Sequence, residues 1–101
     1  MEINKSQEGE NLTIKLSGRL DTNTAPQLES EFETSINDSV KNLILDFKNL
    51  EYVSSAGLRV ILSAKKKISK VSGDMKAKNV NSSVREVFEI TGFTDILTLE
   101  S

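Results

Sequence analysis

Alternating apolar and polar residues predict a strand near the start of the chain. The alternation has the two-residue period of a strand with one buried face, and its apolar positions are Leu12, Ile14 and Leu16. A weaker candidate strand covers residues 2–7, and turn-forming residues at 8–11 follow it. We therefore expect the two strands to form an antiparallel hairpin.

Apolar residues that recur every three or four positions predict a first helix after the hairpin. Thr24 is the candidate N-cap, Gln27 completes a capping box, and Pro26 fits the first turn, where its missing N–H costs little. The helix should run to about Asn37. Its buried stripe is formed by Ala25, Leu28, Phe32 and Ile36.

The longest patterned stretch, residues 43–62, predicts a buried strand followed by a helix. The strand is formed by Leu43, Ile44, Leu45 and Phe47. Polar residues at 48–51 predict a turn that interrupts it. Beyond that turn the apolar pattern changes to the 3.6-residue period of a helix, so Ser54 and Ser55 lie where this helix begins.

This second helix carries apolar residues on two faces. The face expected to pack on the sheet consists of Gly57, Val60, Ile61, Ala64, Ile68 and Val71. Leu58, Arg59 and Leu62 lie on another face beside Ser55, which predicts an exposed patch that binds a partner. The alternative is that another helix covers Leu58 and Leu62.

The last third of the chain predicts one more strand and a short helix. The strand covers residues 75–80, and residues 81–83 offer several N-caps, of which Ser83 forms a candidate capping box with Glu86. Gly92 is a candidate C-cap. The apolar residues that follow fit either a final strand or a helix, and they are Phe93, Ile96, Leu97 and Leu99.

Together these elements predict an α/β fold with a mixed sheet of four to five strands and helices packed mainly on one face. The N-terminal hairpin is antiparallel, whereas strand–helix–strand connections make the later strands parallel and the crossovers right-handed. Carboxyl ends of parallel strands share one edge of a sheet. We expect three segments to lie close together there: Asp21 with Thr22 and Asn23, Ser54 with Ser55, and the turn at 79–81.

Composition argues against most kinds of catalysis. The 101 residues suit one domain, and they include no histidine and no cysteine. Imidazole and thiolate chemistry are therefore excluded, and we expect no metal, no cofactor and no enzymatic activity. A net charge of −2 gives no general attraction to nucleic acid. Without a long apolar run or signal peptide, we expect no membrane insertion and a cytoplasmic location. We also expect the free protein to be a monomer.

Ser54 and Ser55 occupy a position that suits a phosphate. The first N–H groups of a helix lack partners inside it, and the helix dipole adds partial positive charge there. A phosphoserine would bring about −1.5 to −2 charges to that point. The simpler interpretation is that a serine only caps the helix, because serine is among the commonest N-caps.

Two segments carry a resemblance to a known family. Residues 46–58, DFKNLEYVSSAGL, resemble the signature loop of STAS domains, the family of bacterial anti-sigma factor antagonists. Residues 16–25, LSGRLDTNTA, resemble the family's other hallmark, in which a strand ends in a Gly-x-Leu-Asp turn before the first helix. The order and spacing match over nearly the whole chain, which implies a single STAS domain over residues 1–101.

The resemblance implies a switch rather than an enzyme. In the best-studied branch, the partner is an anti-sigma serine kinase that phosphorylates the serine aligned with Ser55, and a PP2C-type phosphatase resets it. Asp21 corresponds to an aspartate that contributes to kinase contact. Ser54 stands where that branch has an aspartate, so Ser54 is a competing acceptor.

Two alternatives stay open beside the switch. The first is a constitutive docking subunit, as in stressosome-like or transporter-associated STAS proteins, and Ser54 in the aspartate's place favours it. The second is a small-molecule module that binds a nucleotide at helix N-termini.

Overall fold

The computed structural model describes residues 1–95 and 98–100, which form one five-stranded sheet and three helices. The strands are β1 (Glu2–Glu8), β2 (Asn11–Leu20), β3 (Asn42–Val53), β4 (Asp74–Lys78) and β5 (Thr98–Leu99). The helices are α1 (Ala25–Ser35), α2 (Ser55–Lys70) and α3 (Ser82–Ile90), followed by a single 3₁₀ turn at Phe93–Asp95.

The sheet has the strand order β1-β2-β3-β4-β5 and is mixed. β1 and β2 are antiparallel and are joined by a two-residue turn in which Gly9 has φ 61°. The remaining neighbours are parallel. The predicted fold class is therefore confirmed. At the C-terminus Phe93 begins the 3₁₀ turn and Leu99 lies in β5, whereas Ile96 and Leu97 lie outside the described residues.

The core lies between one face of the sheet and the helices. Side chains on that face of β2, β3 and β4 are buried: Leu12, Ile14, Leu16, Leu43, Leu45, Phe47, Met75 and Ala77. Positions that alternate with them, such as Lys15 and Ile44, stay partly or fully exposed. α3 seals one side of this core, because the Phe88 ring lies 5.9 Å from the Phe47 ring.

The predicted turn at 48–51 is wrong, because β3 runs without a break from Asn42 to Val53. Leu50 is only 1% exposed, so the segment keeps an apolar anchor in the core. Its pairing with β2 shifts register twice, and Gly18 lies at the second shift with φ 101°. Gly18 is thus inside a strand, where its freedom at positive φ absorbs the irregularity.

The predicted helix ends are close, but both predicted capping boxes are wrong. Thr24 is the N-cap residue of α1 as predicted, yet its side chain forms no capping bond to the helix, and α1 ends at Ser35, slightly before the expected end near Asn37. α3 is capped by Asn81, one of the N-caps predicted at 81–83, whose side chain accepts a hydrogen bond from the Val84 N–H at 2.8 Å. Gly92 has φ 79° and follows the C-cap of α3, as its predicted capping role requires.

No helix in the described part of the chain is long and apolar enough to cross a membrane.

Candidate functional site

The candidate site lies where β2 and β3 end side by side. Leu20 and Val53 are register partners at the ends of these strands. The Ser54 N–H donates a hydrogen bond to the Leu20 carbonyl at 2.9 Å. The loop after β2 and the start of α2 are therefore adjacent, as the sequence predicts.

Asp21 organises the loop after β2. One oxygen of its carboxylate, Oδ1, accepts hydrogen bonds from the N–H groups of Asn23 at 3.0 Å and Thr24 at 3.2 Å. Thr24 Oγ1 accepts a bond from the Asp21 N–H at 2.9 Å and donates to the Arg19 carbonyl at 2.8 Å. The Thr24 hydroxyl is therefore bonded within the loop and does not cap α1. The same bonds shape the loop, at whose tip Thr22 and Asn23 are exposed.

Ser54 and Ser55 differ in their surroundings. Ser54 is the N-cap of α2, and its Oγ accepts the Gly57 N–H at 3.3 Å while its carbonyl accepts the Leu58 N–H at 2.9 Å. Ser55 is the first helical residue and is exposed, and its hydroxyl makes no hydrogen bond within the described residues. Ser54 therefore has the structural role, while Ser55 is accessible to a second protein.

The electrostatics at this helix start favour an anion near Ser55. The first turn of α2, which is described throughout, contains no acidic residue to balance the partial positive charge of the helix N-terminus. Basic residues at its other end, Lys67 and Lys70, complement the negative end of the dipole. A phosphate on Ser55 would lie beside unpaired backbone N–H groups.

Gly57 lets α2 approach the ends of both strands. A Cβ atom at this position would lie 2.6 Å from Leu20 Cγ and 2.9 Å from Leu20 Cδ2, closer than such atoms come, and it would make a tight contact of 3.0 Å with Val53 Cγ2. The absence of a side chain therefore fixes how near Ser55 lies to the sheet edge.

The predicted apolar patch on α2 is only partly exposed. Leu58 is 6% exposed and belongs to the core, so its expected place on an open surface is wrong. The physical reason is that α1 packs against α2 and extends the buried region around the helix, which is the alternative that the helical pattern left open. Leu62 is half-buried against the core, and Arg59 is exposed beside Ser55.

The sequence predicts the turn at 79–81 near the end of β3, but its hydrogen bonds go to residues earlier in that strand. Asn79 Nδ2 donates to Asp46 Oδ1 at 2.9 Å, and Asn81 Nδ2 donates to the Leu50 carbonyl at 2.9 Å. In the described part of the chain, no hydrogen bond joins this turn to Ser54 or to Asp21. The structure thus bonds Ser54 to Leu20, the residue before the Asp21 segment, and attaches the third expected segment to Asp46 and Leu50 of β3.

Asp46 is a buried carboxylate in this neighbourhood. Burial by itself raises the pKa of its carboxyl, but the hydrogen bonds from Asn79 and from the Lys48 N–H, together with the Lys78 and Lys15 charges, leave the pKa lowered overall. Asp46 is therefore ionised at neutral pH and anchors the loop after β4.

Sequence patterns did not single out a further pair at the site, Arg19 and Tyr52. The Arg19 guanidinium carbon lies 4.2 Å from the centroid of the Tyr52 ring, and Tyr52 is 41% exposed. Both residues occupy positions next to buried ones, Leu20 and Val53, so strand alternation alone puts them on the outward face. That alternation is a signal for the exposure of each residue, whereas their stacking depends on the register of β2 and β3.

A family comparison decides what kind of domain carries this site. The model of the STAS domain matches residues 2–101. The chain belongs to the STAS domain family. Among the described residues of this STAS domain, no cluster of acidic side chains has the arrangement of a metal site.

Relatives of this STAS domain are named for one regulatory function. The Bordetella bronchiseptica protein BtrV, a proposed anti-sigma factor antagonist, is 40% identical over 81 residues, which span 80% of this chain and 70% of BtrV. The anti-sigma F factor antagonist of Paenibacillus polymyxa is 30% identical over 89 residues, 87% of this chain and 76% of that protein. Proteins of this class are non-enzymatic regulators.

A solved structure supports the fold of this STAS domain independently. The phosphorylated form of the Bacillus cell fate determinant SpoIIAA superposes with a TM-score of 0.77 at 22% identity, covering 99% of this chain and 92% of that chain. At 22% identity, this similarity shows a shared fold and nothing more.

Proposed function

We propose that this STAS domain is an anti-sigma factor antagonist that works as a phosphorylation switch. Its unphosphorylated form binds an anti-sigma serine kinase and so releases a sigma factor. The observation that carries the proposal is the exposed Ser55 hydroxyl at the start of α2, which has no hydrogen bond to any described residue and follows Ser54, whose N–H is bonded to Leu20. The relatives named as anti-sigma factor antagonists support the regulatory part of the proposal.

The contact surface combines two segments that the strand ends hold together. The tip of the first loop presents Thr22 and Asn23, positioned by Asp21, and the first turn of α2 presents Ser55 and Arg59. Ser54 supports this surface from beneath as the helix cap, and Leu62 lies at its margin. Leu58 acts from the core by holding the helix in place.

Phosphorylation turns this contact off. The kinase transfers the terminal phosphoryl group of ATP to Ser55 Oγ: a new O–P bond forms, the bond to ADP breaks, and the hydroxyl proton is released. The added charge and volume then disrupt a packed interface through repulsion and desolvation. A PP2C-type phosphatase hydrolyses the ester and restores the hydroxyl.

Ser54 is a poorer acceptor than Ser55 for a structural reason. Its Oγ already accepts the Gly57 N–H, and it is only half-exposed. Phosphorylation there would replace the cap of α2, whereas phosphorylation of Ser55 leaves the cap intact.

Binding to the anti-sigma kinase tests the proposal. Ser55→Asp should weaken binding at least about tenfold relative to Ser55→Ala. The matched control is Ser82→Asp, because Ser82 is likewise the exposed first residue of a helix, α3, capped by the preceding asparagine. Ser82→Asp should bind like the wild type. Equal affinities for Ser55→Asp and Ser55→Ala would contradict the switch.

A constitutive docking subunit is the second candidate, favoured by Ser54 standing where the best-studied branch has an aspartate. Mass spectrometry of the protein from its native cells, in growing and stressed cultures, separates the two. A phosphoryl group on Ser55 whose occupancy differs between the cultures supports the switch. Its absence in both supports constitutive docking.

A further inference from the structure

Arg19 and Tyr52 form an exposed stack, here called the platform, at the end of the sheet. They are register partners on β2 and β3, and the guanidinium carbon lies 4.2 Å from the ring centroid. The Arg19 side chain is 60% exposed, and the tyrosine ring beneath it restricts its rotamers. The contact with the ring therefore favours a position of the guanidinium over the face of Tyr52.

The outer edge of this guanidinium, formed by Nη1 and Nη2, lacks a partner among the described residues. Its nearest anion is Asp21 Oδ2, 3.9 Å from Nε, which is too long for a hydrogen bond. Residues 1–95 and 98–100 supply no hydrogen bond to either of the terminal nitrogens, Nη1 and Nη2. An arginine in this state retains parallel N–H groups that match both oxygens of a carboxylate.

The platform borders the contact surface proposed above. Arg19 is followed directly by Leu20 and Asp21, and Tyr52 lies two residues before Ser54 in the strand that leads to α2. A protein that contacts the loop tip and extends over the outward face of the sheet at this end therefore reaches the guanidinium. Tyrosine and arginine are also the residue types enriched among those that dominate binding energy in interfaces.

We propose that Arg19, held on the Tyr52 ring, binds the carboxylate of an aspartate or glutamate side chain on the anti-sigma partner. This inference rests on the proposed function and names the chemistry of the partner's contact. The Asp21 carboxylate lies on the Nε side of the guanidinium and leaves the outer edge open. A phosphate on Ser55 of the same chain is another anion that could bind there, so the test uses protein verified by mass to be unphosphorylated.

The experiment measures the affinity of the purified anti-sigma kinase for Arg19→Gln. We expect roughly tenfold weaker binding, and weaker dependence of the affinity on salt, because one charge pair is lost. Lys66→Gln is the matched control, since Lys66 is an exposed cation on α2 outside the site, and it should stay within about twofold of the wild type. The affinity of Arg19→Lys should lie between those of Arg19→Gln and the wild type, because lysine keeps the charge but not the paired N–H donors.

The tyrosine variants test the platform itself. Tyr52→Phe keeps an aromatic face and should bind within about twofold of the wild type, whereas Tyr52→Leu should weaken binding about as much as Arg19→Gln. Substituting each aspartate and glutamate of the kinase surface by its amide should reveal one change that adds no further loss in the Arg19→Gln background.

Different failures have different meanings. If the wild-type protein does not bind the kinase, the proposed function is wrong and this inference falls with it. If the wild type binds and Arg19→Gln binds equally well, only the inference is wrong. A loss in Arg19→Gln that is accompanied by a lower unfolding temperature and an unchanged salt dependence would likewise overturn it, because the effect would then be structural.

Discussion

The Ser54 N–H donates to the carbonyl of Leu20 at 2.9 Å, so the end of β3 is bonded to the end of β2. This bond ties the start of α2 to the Asp21 loop. The proposed contact surface therefore belongs to the rigid sheet edge and not to two independent loops. A partner can bind both segments without first ordering them, which lowers the entropic cost of association.

Gly57→Ala should destabilise the fold. The new methyl group would lie 2.6 Å from Leu20 Cγ, and Leu20 is fully buried and cannot swing away. Crowding of this kind costs about 1–3 kcal/mol, and with two contacts under 3.0 Å we expect the upper part of that range, above the roughly 1 kcal/mol that alanine gains over glycine in a helix. Urea unfolding checks this. Ser69→Ala, on the exposed side of the same helix, is the control and should leave the stability within about 0.5 kcal/mol.

Ser54→Ala and Ser55→Ala should differ in stability although the residues are adjacent. Loss of the Ser54 cap should cost about 0.5–1 kcal/mol, the lower part of the usual range because the bond to Gly57 N is long at 3.3 Å. Ser55→Ala should change the unfolding free energy by less than about 0.5 kcal/mol. Ser54→Asp should restore the stability, since aspartate caps well and complements the dipole. Equal effects of the two alanine variants would contradict this assignment of roles.

Acid should weaken the fold through Asp46. The pKa of its carboxyl is lowered in the folded protein. Folding therefore stabilises the ionised form of Asp46 relative to the protonated form. The contribution of the ionised Asp46 to the free energy of unfolding is fully present above the pKa of the unfolded chain, about 3.9. It is lost as the pH falls through the lower pKa of the folded protein. Unfolding free energies measured from pH 7 to pH 2 should therefore fall less steeply below about pH 4 in Asp46→Asn than in the wild type. Parallel curves would refute this.

Asn81 should matter more than an exposed residue normally does. Its side chain caps α3 through Val84 N and also donates to the Leu50 carbonyl in β3. Asn81→Ala should cost about 1–2 kcal/mol, because both bonds disappear. Asn81→Asp keeps the capping acceptor but loses the donor, so its stability should lie between those of Asn81→Ala and the wild type. The unfolding temperatures of the three proteins should therefore decrease from the wild type to Asn81→Asp to Asn81→Ala.

Sequence patterns predicted the elements better than their ends. The alternation at Leu12, Ile14 and Leu16 defines β2, and the change of period at Ser54 defines α2, because both signals come from burial on a single face. The polar run at 48–51 suggested a turn, yet it pairs with β2 as part of β3. Exposed strand residues and turn residues have similar compositions, so this distinction depends on tertiary pairing.

The candidate site could be located from the sequence but not fully described. Motif positions placed Asp21 and Ser55 at one sheet edge, and the structure puts their segments in contact. The burial of Leu58 depends on how α1 lies against α2, which no single-helix pattern contains. The Arg19–Tyr52 stack needs the shifted register of β2 and β3, so the sequence separation of the two residues conceals it.

The strand order has a consequence for synthesis of the protein. Each strand lies beside the strand that precedes it in the chain, from β1 to β5. A chain emerging from the ribosome can therefore add every new strand to an edge that already exists, without waiting for a later segment to insert between earlier ones. The Asp21 loop, β3 and α2 all lie within residues 1–70, so every segment of the proposed contact surface has been synthesised before the C-terminal third of the chain has been made.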